Sequence, residues 1–244
     1  MNKANVFGYP VHLVTQDEGV NYVLDAIDKG QGLHIVTINP EIIAAADKSP
    51  ELAGILKQAE LVIPDSIGMM LAIWSSGFFR AKKLPGIEFS EKLLEKCAEK
   101  GIRVGFLGGK PEIIKELNFP GVNVVFSHHG YFKDEEVNDI TQQLQASEPQ
   151  ILFVGLGCPK QEYFIKRHRN ILKKIAMIGV GGSFDVWAKK VKRAPVLFQA
   201  FGLEWFYRLV TQPERFNRMF PVLPLFFLRI VFDRKNLGKK YENE

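Results

Sequence analysis

The sequence predicts an α/β fold in which helices cover both faces of a mostly parallel β-sheet. Apolar runs of strand length alternate with amphipathic runs of helix length along most of the chain. The strand-length runs are apolar throughout, rather than at every second residue. Strands that are buried on both faces, each followed by a helix, are typical of a Rossmann-like α/β/α sandwich.

Six apolar runs are the predicted strands of this sheet. They are Leu33 to Ile38, Leu61 to Ile63, Ile102 to Leu107, Val122 to Phe126, Ile151 to Leu156 and Ile175 to Val180. Between the strands, Thr15-Gln16-Asp17-Glu18 has the form of a capping box and predicts a helix to about Lys29. Ser49 and Ser90 are the predicted starts of further helices, and Pro40 can occupy the first turn of another.

Length and composition fit one large domain, or one domain with an appendage. The chain has 244 residues, of which 46% are hydrophobic, enough for a sizeable core. The first residues lack a cationic start followed by an apolar run, so we expect a cytoplasmic protein. Cys97 and Cys158 are too few for a disulfide framework, and we expect both to be reduced.

The positive charge of the chain belongs to its C-terminal part. Residues 189–244 carry twelve Lys and Arg against five Asp and Glu, a net charge of +7, which leaves 20 minus 22, or −2, for the remainder. We therefore predict an α/β catalytic core over residues 1–194 and a basic appendage over residues 195–244. A basic segment can bind nucleic acid, an anionic lipid surface or a phosphorylated substrate.

The amino-acid composition also changes within the appendage. A helix is predicted from about Val196 to Val210, before Pro213. The stretch from Met219 to Phe232 is apolar except for Arg229 and contains two prolines, Pro221 and Pro224. It is too short to span a bilayer, but its combination with neighbouring Lys and Arg predicts a helical segment that lies in a membrane interface. The alternative is a terminal helix packed on the core.

Candidate functional residues follow the strands, because ligands bind beyond the carboxyl ends of parallel strands. Asp65 comes directly after the second strand, where its carboxylate could accept a proton from an attacking hydroxyl. It could instead cap the following helix. Glycine-rich turns at 155–157 and 179–182 could let backbone amides approach a phosphate or a sugar, or could only permit close packing.

Several functional classes are disfavoured by the sequence. Neither glycine cluster fits G-x-G-x-x-G, and no G-x-x-x-x-G-K-[ST] occurs, which argues against a nicotinamide dehydrogenase and a P-loop ATPase. The five histidines show no metal-ligand spacing. Cys158 has no base placed by sequence to activate it, so packing is its predicted role. We expect neither a metal nor a cofactor.

Five strings, in this order along the chain, resemble those of the WecG/TagA/CpsF glycosyltransferases. The likeness runs from about Val6 to Met219. The strings are TINPE from Thr37, PDSIG around Asp65, GCPKQE ending at Glu162, GVGGSFD ending at Asp185, and KRAP followed by GLEWFYRL and PERFNR. Where relatives often have Pro-Asp-Gly, this chain has Ser66.

The resemblance implies an activity. Such enzymes transfer an N-acetylmannosamine-type sugar from a UDP donor to N-acetylglucosamine carried by undecaprenyl diphosphate, with inversion and without a metal. The chain contains no Asp-x-Asp motif of the kind that holds a divalent ion in many sugar-nucleotide transferases. We therefore expect protein groups to meet the charge of the leaving diphosphate.

The resemblance also implies roles for individual residues. Asp65 is the expected general base. The expected catalytic cations on the leaving UDP are Arg208, Arg215 and Arg218, although Pro213 interrupts the helical ladder between the first and the other two. The expected substrate contacts are the polar residues Thr37, Asn39 and Gln161, together with the strand-end glycines Gly109, Gly157, Gly181 and Gly182.

The expected partners are a UDP-sugar donor, a polyprenyl-diphosphate-linked acceptor sugar and the anionic inner face of the cell membrane, with which the protein would associate peripherally. A sandwich with spare apolar surface is also compatible with a homo-oligomer. A nucleic-acid-binding protein that uses the basic tail is the main alternative, but it leaves Asp65 unexplained. A non-catalytic, membrane-docking relative is the other.

Overall fold

The structure is a computed structural model, and it describes residues 1–195, 197–198, 203–211 and 220–241. Its strands are β1 (Lys3–Val6), β2 (Tyr9–His12), β3 (His34–Ile38), β4 (Leu61–Pro64), β5 (Arg103–Gly108), β6 (Asn123–His128), β7 (Ile151–Gly155), β8 (Ala176–Gly179) and β9 (Leu237–Lys240). Its helices are α1 (Gln16–Asp28), α2 (Pro40–Ala46), α3 (Pro50–Gln58), α4 (Ile67–Ser75), α5 (Gly86–Lys100), α6 (Pro111–Glu116), α7 (Val137–Ser147), α8 (Lys160–His168), α9 (Ser183–Trp187), α10 (Glu204–Thr211) and α11 (Val222–Phe232).

The six predicted strands are confirmed as one parallel sheet in the order β4-β3-β8-β7-β5-β6. Helices cover both faces, which agrees with a Rossmann-like α/β architecture. The helices that follow β3 pack on the face that carries Val36 and Ile38, whereas α9, which follows β8, packs on the opposite face beside Ile178. β3 and β8 are neighbours, so their carboxyl ends form a topological switch point, the usual place for a ligand crevice in such sheets.

The helix starts follow the predicted caps in three cases. Thr15 caps α1 with a complete capping box, Ser49 caps α3, and Pro40 occupies the first turn of α2. The prediction that a helix starts at Ser90 is wrong. α5 begins at Gly86, and Ser90 is fully buried inside it. The helix begins before Ser90 because its first turn buries Ile87 and Phe89, and burial of a side chain of this size contributes about 1.5–3 kcal/mol.

A second, antiparallel sheet, in the order β2-β1-β9, was not predicted. β1 and β2 form a hairpin whose turn residues, Phe7 and Gly8, both have positive φ. β9 pairs with β1, so that residues near the two ends of the chain lie side by side. Tyr9 and Val11 of this sheet are buried against the α2–α4 side of the core.

The first predicted helix of the appendage differs from the structure. Leu203 lies outside any helix and α10 begins at Glu204, so the single helix predicted from Val196 to Val210 is wrong; residue 196 itself lies outside the described residues. Gly202, immediately before this point in the sequence, is a poor helix former.

α11 falls within the predicted apolar stretch, whose first residue, Met219, lies outside the described residues. Pro221 is its cap, and Pro224 lies in the first turn, where a proline is tolerated. Phe226 and Ile230 are buried against α2 and α4. Within the described ranges, no helix has the length and apolar character needed to cross a bilayer.

Candidate active site at the carboxyl ends of the sheet

The crevice at the switch point is bridged by Thr37. Its side chain lies on β3, and its hydroxyl donates to the carbonyl oxygen of Gly179 at the end of β8, at 3.3 Å. Thr37 is only 8% exposed. Because the hydroxyl hydrogen is used in this bond, the oxygen is left to accept a hydrogen bond from a ligand.

Asp65 lies at the neighbouring strand end. Its backbone N–H donates to Ile38 O at 2.9 Å, so the residue continues the pairing of β4 with β3 before the chain turns away. The residue that caps α4 is Ser66, whose hydroxyl accepts from the N–H of Met69 at 3.2 Å. The alternative reading of Asp65 as the helix cap is therefore wrong.

Gly86 brings Thr37 and Asp65 together. A methyl group built on Gly86 would lie 2.7 Å from Thr37 Cγ2 and 3.2 Å from Asp65 Oδ2. Both side chains thus contact the same point, the first residue of α5. The N-terminus of this fifteen-residue helix is a positive dipole end, which favours a negative charge beside it.

Gln161 is held inside the protein beside the same crevice. Its Oε1 accepts from Gly181 N at 3.1 Å, and its Nε2 donates to Glu162 Oε1 at 2.8 Å. The side chain packs against Gly179, which has no room for a side chain of its own. Gln161 is 3% exposed, so its contacts in this structure are with the turn after β8.

Glu162 accepts the hydrogen bond from the Gln161 amide. It is 1% exposed, and burial raises the pKa of its carboxyl, while hydrogen bonds from Gln161, its own backbone N–H and Cys158 act in the opposite direction. Its Oε2 has no hydrogen-bond partner among the described residues. The carboxylate therefore orients the Gln161 amide, which in turn holds Gly181.

The four predicted glycines lie in turns at the same edge of the sheet. Gly109, Gly157 and Gly181 all have positive φ, which explains why glycine occupies these positions. Around Gly157 and Gly181 there is open space where a side chain would be, so a ligand could approach their backbone. Gly109 is more enclosed, because its N–H donates to Gly155 O at 3.1 Å and Ile113 packs against it. Gly182 is the cap residue of α9.

Asn39 also follows β3, and it serves as the cap of α2. Its Oδ1 accepts from Ile42 N at 3.0 Å. Any ligand contact from this side chain would therefore come from the amide nitrogen.

Of the three predicted arginines, Arg208 belongs to α10, although its side chain is outside the described part, and Arg215 and Arg218 lie wholly outside the described residues. The first residue of α10 reaches the core: Glu204 Oε1 pairs with Lys83 Nζ at 3.2 Å. Lys83 is three residues before Gly86, so the helix that carries Arg208 begins close to the mouth of the crevice.

Three residues of this site were missed in the sequence. Gly86 follows a proline in a segment with no recognised motif, and only its place at the start of an amphipathic helix could have indicated it. Glu162 ends the GCPKQE string but was given no role. Lys83 lies in a run of basic residues that looks like an ordinary solvated loop. No group of three His, Cys, Asp or Glu side chains that could hold a metal occurs among the residues that the structure describes.

Comparison with known proteins supports a single family. The sequence model described as Glycosyl transferase WecG/TagA/CpsF family matches residues 4–240. A relative from Bacillus spizizenii, strain W23, is 37% identical over 202 residues, which cover 80% of this chain and 78% of the relative. One from Bacillus subtilis, strain 168, is 33% identical over 216 residues, covering 86% and 83%. Both are named N-acetylglucosaminyldiphosphoundecaprenol N-acetyl-beta-D-mannosaminyltransferase.

Proposed function

Because this chain belongs to the WecG/TagA/CpsF family of glycosyl transferases, we propose that it transfers N-acetylmannosamine from a UDP donor to N-acetylglucosamine on undecaprenyl diphosphate. The chain is accordingly a glycosyltransferase, and the nucleic-acid-binding alternative is not favoured. The structural observation that carries the proposal is the meeting of Asp65 and Thr37 at Gly86, beside the β3/β8 switch point. A carboxylate in this position suits a transferase that must deprotonate a sugar hydroxyl.

In the proposed reaction, Asp65 acts as the general base. Its carboxylate takes the proton from the acceptor hydroxyl while that oxygen attacks the anomeric carbon of the donor sugar. The bond between the sugar and UDP breaks on the opposite side, so the configuration at this carbon inverts. A positioned base contributes about 10²- to 10⁴-fold to the rate of such a step.

The leaving diphosphate needs positive groups that are already in place. The open space at Gly157 and Gly181 leaves room for the diphosphate at the sheet edge, and Gln161, which accepts a hydrogen bond from Gly181 N, holds the second of these turns in place. Arg208, Arg215 and Arg218 are the proposed cations. The Lys83–Glu204 ion pair supports this role for Arg208, since it holds the start of α10 near the crevice.

The outer face of α11 supports association with the inner face of the membrane. Leu225, Leu228 and Phe232 are 63%, 52% and 82% exposed, while Phe226 and Ile230 on the other face are buried in the core. A helix that exposes several apolar side chains, with Lys and Arg nearby in the sequence, suits the boundary between lipid headgroups and acyl chains. Deleting the chain beyond Arg218 is a poor test of this role, because the deletion would also remove the two buried side chains and β9.

Substitution of Asp65 tests the proposed function. Asp65→Asn should lower transfer to a short-chain lipid diphosphate acceptor by 10²-fold or more, roughly the contribution of a general base. UDP binding, measured by calorimetry, should be unchanged. Asp139→Asn is the matched control, because Asp139 is exposed on α7, away from the crevice. Near-normal turnover of Asp65→Asn would remove Asp65 as the base.

A further inference from the structure

The loop that joins α4 to α5 exposes an aromatic side chain, and two exposed cations follow it in the sequence. We call residues 77–83 the aromatic loop. Phe79, at its tip, is 78% exposed, one of the most exposed large apolar side chains among the described residues. Arg80 and Lys82 beside it are exposed as well. Lys83 is set apart from them, because it pairs with Glu204.

Hydrogen bonds fix the conformation of the aromatic loop, and this conformation places Phe79 in solvent. The indole Nε1 of Trp74 donates to Ala81 O at 3.1 Å, and Ala81 N donates to Phe78 O at 3.1 Å. Phe78 packs inward against the α2–α4 side of the core. With one phenylalanine anchored, its neighbour is directed to the outside.

Two of the three cations of the loop, Arg80 and Lys82, form no ion pair with any residue in the described part of the chain, whereas Lys83 pairs with Glu204. They also line a cavity of about 240 Å³ whose walls are mostly apolar, with Leu13, Val14 and Phe78 among them. Glu18, the acidic residue at this cavity, is engaged by Thr15, whose N–H donates to it at 2.7 Å.

The loop is also linked to α11 through α4. α11 packs on α4, α4 leads directly into the loop, and Leu71 on α4 is 36% exposed. Phe226 of α11 belongs to the core cluster against which Phe78 of the loop packs. Both exposed apolar groups are thus attached to the same part of the core.

We propose that the aromatic loop is a second membrane contact, with Phe79 inserted at the headgroup boundary and Arg80 and Lys82 on the phosphates of anionic lipids. An exposed aromatic side chain with two exposed cations close after it in the sequence matches the chemistry of such a surface. This inference rests on the proposed function, in which a lipid-linked acceptor enters the crevice from the membrane surface that the loop contacts. Leu84 N donates to Pro64 O at 3.0 Å, so the loop returns to the core beside Asp65.

Vesicle binding by the full-length protein tests the proposal. Arg80→Ser with Lys82→Ser should weaken binding to phosphatidylglycerol vesicles about 25-fold, since each basic residue near an anionic surface contributes about fivefold. With neutral phosphatidylcholine vesicles the same variant should bind like the wild type. Phe79→Ser should weaken binding to both kinds of vesicle, by roughly tenfold. Leu228→Ser removes an exposed apolar side chain from α11, and the loss of vesicle binding in Phe79→Ser is compared with the loss in this variant.

Matched controls come from the turn before β8, at the opposite end of the sheet. Lys173→Ser with Lys174→Ser removes two exposed cations, and Ile171→Ser removes an apolar side chain that is 51% exposed. Both should bind vesicles like the wild type. Equal losses in the controls and in the loop variants would overturn the proposal, as would a Phe79→Ser protein that changes its oligomeric state in sedimentation but keeps its vesicle binding.

Transfer assays separate this inference from the proposed function. The loop variants should transfer sugar normally to a water-soluble short-chain acceptor and poorly to a long-chain acceptor in vesicles. A wild-type protein that transfers no sugar to either acceptor would contradict the proposed function and leave the vesicle comparison intact. Loop variants that keep full activity on the long-chain acceptor and full vesicle binding would overturn only the second contact.

Discussion

Thr37 donates its hydroxyl hydrogen to the carbonyl oxygen of Gly179, and this bond ties β3 to β8 at the point where the crevice opens. The methyl group of the same side chain faces Gly86, beside Asp65. One threonine therefore links the turn that precedes Gly181 with the carboxylate proposed as the base. Small movements of this side chain should affect both parts of the site.

Gly86→Ala should lower transferase activity without unfolding the protein. The added methyl group would lie 2.7 Å from Thr37 Cγ2, so Thr37 or the start of α5 must shift. A displacement of about 1 Å in a catalytic arrangement can cost about 10²-fold in rate. Steady-state transfer kinetics and thermal unfolding measure the two properties.

Gly54→Ala is the matched control for this substitution. Gly54 is also helical, in α3, but a methyl group there meets no atom within 4 Å. It should stabilise the protein by about 0.5–1 kcal/mol, because alanine is the better helix former, and leave activity unchanged. Wild-type kinetics in Gly86→Ala would show that the close contact at Thr37 does not matter for catalysis.

Ser66→Gly should stabilise the protein. Ser66 has φ 157° and ψ 164°, a region that is populated almost only by glycine and costs other residues about 1–3 kcal/mol. Loss of the serine cap costs only a few tenths of a kcal/mol when glycine replaces it. After the greater chain entropy of glycine is subtracted, a gain of about 1 kcal/mol is expected in urea unfolding.

The comparison variant at this position is Ser66→Ala. It keeps the unfavourable backbone conformation and removes the bond to Met69 N, so its stability should fall by about 1 kcal/mol. If Ser66→Gly is the less stable of the two variants, the backbone at this position carries no strain.

The stability of the fold should decrease as the pH falls below about 6.5. Burial lowers the pKa of His34 from 6.5 to about 3 and that of His12 to about 4. Both histidines are therefore neutral in the folded protein at a pH where the unfolded chain already binds protons, which favours unfolding. Each should contribute a slope of about 1.4 kcal/mol per pH unit between its folded and unfolded pKa values.

Urea unfolding at pH 7.5 and pH 5 measures this effect. His34→Leu should have a smaller slope than the wild type over the same range, because one proton-binding site is removed from the unfolded chain. An unchanged pH dependence in this variant would mean that His34 is protonated in the folded protein.

The sequence predicted the parallel sheet because each of its strands is a continuous apolar run with its own helix, a signal that needs no long-range information. The antiparallel sheet has no such signal. β1, β2 and β9 have four residues each, and β9 finds its partner more than 200 residues away. A hairpin turn with Phe7 at positive φ also lacks the usual Asn-Gly or Asp-Gly marker.

The position of Asp65 at the carboxyl edge of the sheet was predictable, because this residue follows an apolar run of strand length. The rest of the candidate site was not predictable, because the packing of separate elements decides its geometry. Gly86 contacts Thr37 and Asp65 only because α5 begins beside β3 and β4, and Gln161 contacts Gly181 only because two turns meet. The cap of α4 illustrates the limit: Asp65 and Ser66 are both good cap residues, and only the backbone geometry distinguishes them.

The pairing of β9 with β1 has a consequence for biosynthesis. β1 leaves the ribosome more than 200 residues before β9, and Tyr241 N donates to Lys3 O at 3.3 Å only after β9 has followed. Until then one edge of the early hairpin has backbone groups without their native partner, and such edges favour association with other nascent chains. All strands of the parallel sheet lie between β2 and β9 in the sequence, so the parallel sheet can assemble while this edge of the hairpin is still exposed.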